Sequence, residues 1–174
     1  LMIAGFSMAA NVLDEPRYQK AALQAADFIQ RKLKNKEGGL LHRYRDGEAA
    51  ITGSLNDYAF MIYGMLALYQ TSFDERWLKE AADTADGMIR LFWDEQKGGF
   101  FLTVLTAEKL ITRPKELYDG AVPSGNSVAV LDLLLLENLV VLRAVISFVS
   151  KRPKLVSTEH LPEHFAVVNM GRSH

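Results

Sequence analysis

Apolar residues recur at helical spacing along most of this 174-residue chain. Tyr58, Met61, Ile62, Met65, Leu66 and Tyr69 mark one stripe, and Trp77, Ala81, Ala85, Met88, Ile89 and Phe92 a second. Steps of three and four residues put such side chains on one helix face, so both stretches predict amphipathic helices. The pattern also repeats. Ile3-Ala4-Gly5-Phe6 recurs as Ile62-Tyr63-Gly64-Met65, 59 positions further on, and Asp14-Glu15 with Arg17-Tyr18 recurs as Asp74-Glu75-Arg76-Trp77. Ala22, Ala26, Asp27 and Arg31 match Ala81, Ala85, Asp86 and Arg90, and Gly38-Gly39-Leu40 matches Gly98-Gly99-Phe100. Pro16 accounts for a slip of one residue between the frames.

Each unit therefore reads as a helix, a short turn, a second helix and a glycine-led loop. Asp14 and Asp74 are placed to cap the second helix of each unit, and Pro16 suits a first turn, where its missing N–H is not needed. The small alanines permit close helix approach. Leu40 to Gly47 and Phe100 to Val104 are too short for helices and rich in aromatic and branched residues, which predicts short strands or extended loops entered through positive-φ glycines. The expected fold is all-α, built of antiparallel helical hairpins over about residues 1–47 and 57–104. A third hairpin begins near residue 124, and residues 151–174 read as an irregular tail without a clear period. Two and a half hairpins cannot close a ring of six, so the expected architecture is a partial barrel, with a missing N-terminal part or homo-oligomerisation covering its free faces.

Composition narrows the function classes. Hydrophobic residues make up 49% of the chain against 24% charged, the balance of a globular domain. A net charge of -1 gives no overall field for nucleic acid or an anionic membrane. Val128 to Val149 is long enough to span a bilayer but contains Asp132, Glu137 and Arg143, so it reads as a buried core helix. There is no basic leader with a cleavage site, and the expected compartment is the cytoplasm. The absence of cysteine removes disulfides, thiolate nucleophiles and cysteine-held zinc or iron–sulfur groups, and no cofactor is expected.

Asn56-Asp57-Tyr58-Ala59, Leu68-Tyr69-Gln70-Thr71, Leu91-Phe92-Trp93-Asp94 with Gly98-Gly99-Phe100-Phe101, and above all Asp119-Gly120-Ala121-Val122-Pro123-Ser124-Gly125-Asn126-Ser127 form a motif set. From about Leu1 to Leu136 it resembles the C-terminal half of the YyaL-type, thioredoxin-domain-containing proteins related to spermatogenesis-associated protein 20. The resemblance implies an α/α toroid similar to six-hairpin glycosidases and N-acylglucosamine 2-epimerases. The family's thioredoxin-like domain has no counterpart in these residues, and the segment after Leu136 departs from its next hairpins.

In such a toroid the loops joining successive hairpins surround a central mouth, and three segments are expected there: residues 42–45, 53–58 and 113–126. Asp57 and Asp119 are the candidate catalytic carboxylates of a sugar hydrolase or epimerase-like site, since glycoside cleavage needs a pair of acids. The alternative is that Asp57 caps the helix beginning at Tyr58 and Asp119 holds the turn at Gly120. His42 is a candidate binding or proton-transfer group, because imidazole is the side chain that exchanges protons readily at neutral pH. Arg43, Arg113 and Lys115 are candidates for recognising a carboxylate or phosphate by charge-assisted bonds, or for pairing with nearby Asp46, Glu48 and Glu116. Tyr58 offers an aromatic face. Ser124 or Asn126 reads as the cap of a helix, and both are candidates for polar lining, Asn126 offering donor and acceptor to a sugar hydroxyl or a neighbouring loop. Ser124 lacks the nucleophile-elbow pattern. His160 and His164 have metal-ligand spacing, but Pro162 and the want of a third ligand argue against a metal site. The expected function is a carbohydrate-active toroid domain acting on a small sugar ligand, with a non-catalytic scaffold or protein-binding module as the alternative.

Overall fold

The computed structural model describes residues 1–104 and 113–150. In order, the elements are helices α1 (Met2–Leu13) and α2 (Pro16–Lys32), strands β1 (Leu41–Arg45) and β2 (Glu48–Thr52), and helices α3 (Leu55–Ser72), α4 (Glu75–Phe92) and α5 (Gly125–Ser150). The chain divides into two compact units, Leu1–Glu137 and Asn138–His174. In the first, α1 packs on α2 and α3 on α4, while α1 and α3 lie side by side and α2 also touches α3. Helix α3 thus has neighbours on several sides. Its buried set, from Leu55 through Tyr58, Ile62 and Met65 to Leu68, covers more than one stripe, as a surrounded helix requires.

Helix α4 is amphipathic: Trp77, Ala81, Ala85, Met88 and Phe92 are buried, and Lys79, Asp83, Asp86 and Arg90 are exposed. Close approach depends on small residues. Ala22, Ala26 and Ala81 are fully buried, and a methyl group on Gly64 would come within 3.3 Å of Ile3, so α1 crosses α3 at a glycine.

Asp74 caps α4 by accepting from the Arg76 N–H at 3.0 Å. Asp14 does not cap α2. It closes α1 in the left-handed conformation, at φ 49°, and Glu15 precedes the helix without a side-chain capping bond. The inserted Pro16 shifts the helix start by one residue, so the structural counterpart of Asp14 is Phe73, which closes α3 at φ 54°.

The two glycine loops share one geometry. Asn35 N–H donates to the Gly39 carbonyl and Asp94 N–H to that of Gly99, both at 2.9 Å, and the Leu41 and Phe101 N–H groups return to Leu33 and Phe92, both at 2.8 Å. The side chains of Asn35 and Asp94 each accept two further backbone N–H groups within their loops. The first loop continues into an antiparallel hairpin that pairs Leu41 with Thr52 and turns through Asp46 and Gly47, both at positive φ. After the second, Phe100 makes a single bridge to Trp93.

In α5, Val128, Ala129, Asp132 and Leu136 are buried, whereas Val130, Leu131, Leu134, Val140 and Val141 are exposed. The expectation of a core helix therefore holds for one face only. Among the described residues no helix is long and apolar enough to cross a membrane, and no group of three or more acidic or histidine side chains is gathered to hold a metal. The tail expected over 151–174, with His160 and His164, lies outside the described residues.

Candidate functional site

The start of α3 carries a reciprocal cap. Ser54 lies just before the helix, and its backbone N–H and hydroxyl donate to Asp57 Oδ2 at 2.7 and 2.8 Å. A carboxylate in the first turn also faces the positive end of the helix dipole. The helix begins at Leu55 and not at Tyr58, so Asp57 reaches back to close the helix from inside its first turn. The β1 strand brings His42 onto this carboxylate, with Nδ1 3.0 Å from both oxygens. A concavity of about 230 Å³ opens beside the pair, lined by His42, Asn56, Asp57, Phe60 and Met61 among others.

At the start of α5 the second carboxylate is tied in. Asp119 accepts from the Ser124 N–H at 2.8 Å and the Ser127 hydroxyl at 2.9 Å. These two donors, the backbone N–H first, hold its carboxyl below the usual carboxylate range. Ser124 caps α5, its hydroxyl oxygen accepting from the Ser127 N–H at 3.2 Å. Asn126 is buried and meets a neighbouring loop: it accepts from the Phe100 N–H at 2.8 Å and donates to the carbonyls of Phe100 and Glu116 at 2.9 and 3.0 Å. A side chain on Gly125 would collide with Asn56 and Leu55, so the starts of α3 and α5 adjoin.

The basic candidates divide. Arg113 donates to the Thr103 carbonyl at 3.0 Å from Nε and 2.5 Å from Nη2, reaches the Leu91 carbonyl, and stacks on Phe101. Lys115 pairs with Asp94 at 2.5 Å and donates to the Gly98 carbonyl. That ammonium, with two loop N–H groups behind it, keeps the Asp94 carboxyl below its ordinary range. The pairing with Glu116 expected from sequence proximity does not form among the described ion pairs; Asp94, brought close by the second glycine loop, takes its place. Arg43 is exposed on β1 and makes no described ion pair, while Arg45 pairs with Asp46. Tyr58 is buried, its oxygen accepting from the Leu40 N–H at 2.9 Å, and burial pushes its hydroxyl pKa up.

His42 and Asp57 are thus together, and Asp119, Ser124 and Asn126 together. The two groups meet through adjoining helix starts and a relay in which Leu55 N–H donates to Leu102 and Leu102 N–H to Pro114. Among the described residues Asp57 and Asp119 share no hydrogen-bond partner.

No protein-family model matches the chain. Over 149 residues it is 36% identical to spermatogenesis-associated protein 20 of Rattus norvegicus, and over 147 residues 34% identical to the Homo sapiens protein. The alignments cover 80% and 79% of this chain and 19% of each relative. This chain is a partial homologue of spermatogenesis-associated protein 20. It spans about a fifth of the length of these curated relatives. Among solved structures, cellobiose 2-epimerase from Spirochaeta thermophila superposes with a TM-score of 0.57 at 24% identity, over 78% of this chain and 36% of that one. The likeness establishes the α/α-toroid fold class for this spermatogenesis-associated protein 20 homologue.

Several residues at the site were not singled out from the sequence. Ser54 was legible as the first member of a Ser-x-x-Asp capping pattern. Asp94 was legible as the repeat counterpart of Asn35. Asn56, whose Oδ1 is buried without a partner among the described residues, carried no local signal. Asp132 is fully buried on α5, both oxygens lack partners among the described residues, and burial pushes its carboxyl up to about 8.

Proposed function

We propose that this chain supplies one wall of a carbohydrate-binding cleft in which His42 and Asp57 carry out proton transfer on a sugar. The observation that carries the reading is the His42–Asp57 pair at 3.0 Å, opening on a concavity at the start of a helix in a toroid-class fold. With its proton on Nδ1 held by Asp57, the imidazole offers Nε2 as the exchanging atom, and the carboxylate stabilises the imidazolium formed when Nε2 takes a proton. Removal of a proton from the carbon beside a sugar carbonyl is the half-reaction this suits; its return to the opposite face needs a second acid, which a facing wall of the cleft would supply. The solved neighbour is a cellobiose 2-epimerase, which supports a saccharide as the ligand.

Asp119 enters this reading as an ionised hydroxyl acceptor. Its lowered pKa makes it a poor proton donor at neutral pH, which weighs against a hydrolase acid. Arg43, the residue after His42 on β1, projects to the opposite strand face from His42 and does not line this concavity. Arg113, Lys115, Ser124 and Asn126 shape the wall through the bonds they make to the loops. The concavity is smaller than the roughly 300 Å³ at which small-ligand pockets begin, consistent with one wall rather than a whole site. The scaffold reading draws its support from the number of these polar atoms already engaged with backbone.

The test is solvent exchange at the sugar carbon beside the carbonyl, followed by NMR in D2O with cellobiose and the protein that carries this chain. His42→Ala is expected to slow exchange by about 10²-fold or more. Its melting temperature should stay near wild type, because His42 is exposed. Asp57→Asn should lower both, since it weakens the cap as well. Exchange that is absent from wild type, or untouched by His42→Ala, would leave the scaffold reading standing.

A further inference from the structure

We propose a second binding site, independent of the His42 cleft, in the cavity between the first glycine loop, the start of α3 and the outer face of α4, suited to a neutral polyhydroxylated ligand of sugar size. Its volume is about 460 Å³, twice that beside His42 and within the usual range of small-ligand pockets, roughly 300 to 1,000 Å³. Tyr58 lines this cavity while Asp57, its neighbour in sequence, lines the other; successive helix positions point about 100° apart, so α3 serves two spaces.

The polar groups on the wall set the ligand class. The charged side chains lining it among the described residues are two bases, Lys34 and Arg90, and two acids, Glu37 and Asp83. Lys34 is paired with Glu80 at 2.9 Å, whereas Arg90, Glu37 and Asp83 make no ion pair among the described residues. The Tyr58 oxygen accepts from the Leu40 N–H, leaving its own proton to donate, and the positive charge of Arg90 acts on that hydroxyl. Donors and acceptors of both signs around one space match hydroxyl groups, each of which gives and takes a hydrogen bond. An anion would gain Arg90 but meet two carboxylates.

Gly87 is a second, independent sign that the space is kept open. It sits inside α4, where glycine is less favourable than alanine. A methyl group there would meet only Tyr58, at an ordinary contact distance of 3.6 Å, so no clash forbids one. What a larger side chain at this position would take up is the cavity itself.

Isothermal titration calorimetry of the protein carrying this chain, with D-glucose and glucose 6-phosphate as probes, tests the proposal. Glucose is expected to bind, no more weakly than its phosphate. Gly87→Leu and Arg90→Ala should each weaken glucose by about tenfold or more with the circular dichroism spectrum retained. Arg90 is exposed, so its truncation probes the ligand rather than the fold. Three results overturn the proposal: no binding of glucose, tighter binding of the phosphate, or loss on His42→Ala without loss on Arg90→Ala. The last would place the sugar in the His42 cleft and leave the proposed function intact.

Discussion

Asp132→Leu is expected to make the protein more stable, and by a margin that widens as pH rises from about 4 to about 8. The Asp132 carboxyl is fully enclosed on α5 with no partner for either oxygen among the described residues, and its pKa rises from 3.8 to about 8. In this interval the folded chain keeps a proton that the unfolded chain has released, so wild-type stability falls with increasing pH. The contribution is intact below the unfolded value and lost by the folded one. At about 1.4 kcal/mol per unit, the difference across the window is on the order of 5 kcal/mol, reduced by any water that reaches the site. Leucine removes the titration and fills similar space. Asp132→Asn should flatten the pH dependence while keeping much of the cost of an unpartnered polar group. Urea unfolding of the three proteins at a series of pH values measures this, and parallel curves for wild type and Asp132→Leu would show that the carboxyl is not enclosed as described.

Asn126→Ala should destabilise the protein by about 3 kcal/mol, because it strands a buried N–H and two carbonyls at once. Asn126→Asp is the sharper probe. It keeps an acceptor for the Phe100 N–H but sets a carboxylate oxygen against the carbonyls of Phe100 and Glu116, where the amide nitrogen donates. We expect it to unfold the protein at least as readily as alanine does, and more so at neutral than at acid pH, where protonation restores a donor. Thermal unfolding at two pH values reads this directly. A variant with wild-type melting and altered sugar binding would instead assign Asn126 to the ligand.

These residues also mark how far the amino-acid order could be read. The recurrence at 59 positions anticipated two helical hairpins and two matching glycine loops, and Asn35 and Asp94 indeed hold the same turn. It failed by one residue at Asp14, because a single proline displaced the helix start. The local pattern offered Ser124 or Asn126 as the cap of α5, and Ser124 takes the role. The partner of Asn126 could not be read, since Phe100 lies 26 residues away and nothing near Asn126 announces it. His42 and Asp57 were each chosen as candidates, but their juxtaposition depends on a β-hairpin folding back over α3.

Helix stripes, caps and left-handed turns are settled within a few residues, by backbone sterics and by hydrogen bonds to near neighbours, and the order of residues was enough to specify them. Which polar groups face one another, which carboxylate loses its water and where space is left open depend on segments brought together from far apart. Desolvation and cavity shape are properties of that packing, so His42 with Asp57, the enclosed Asp132 and the hollow beside Gly87 emerge only once the helices have assembled.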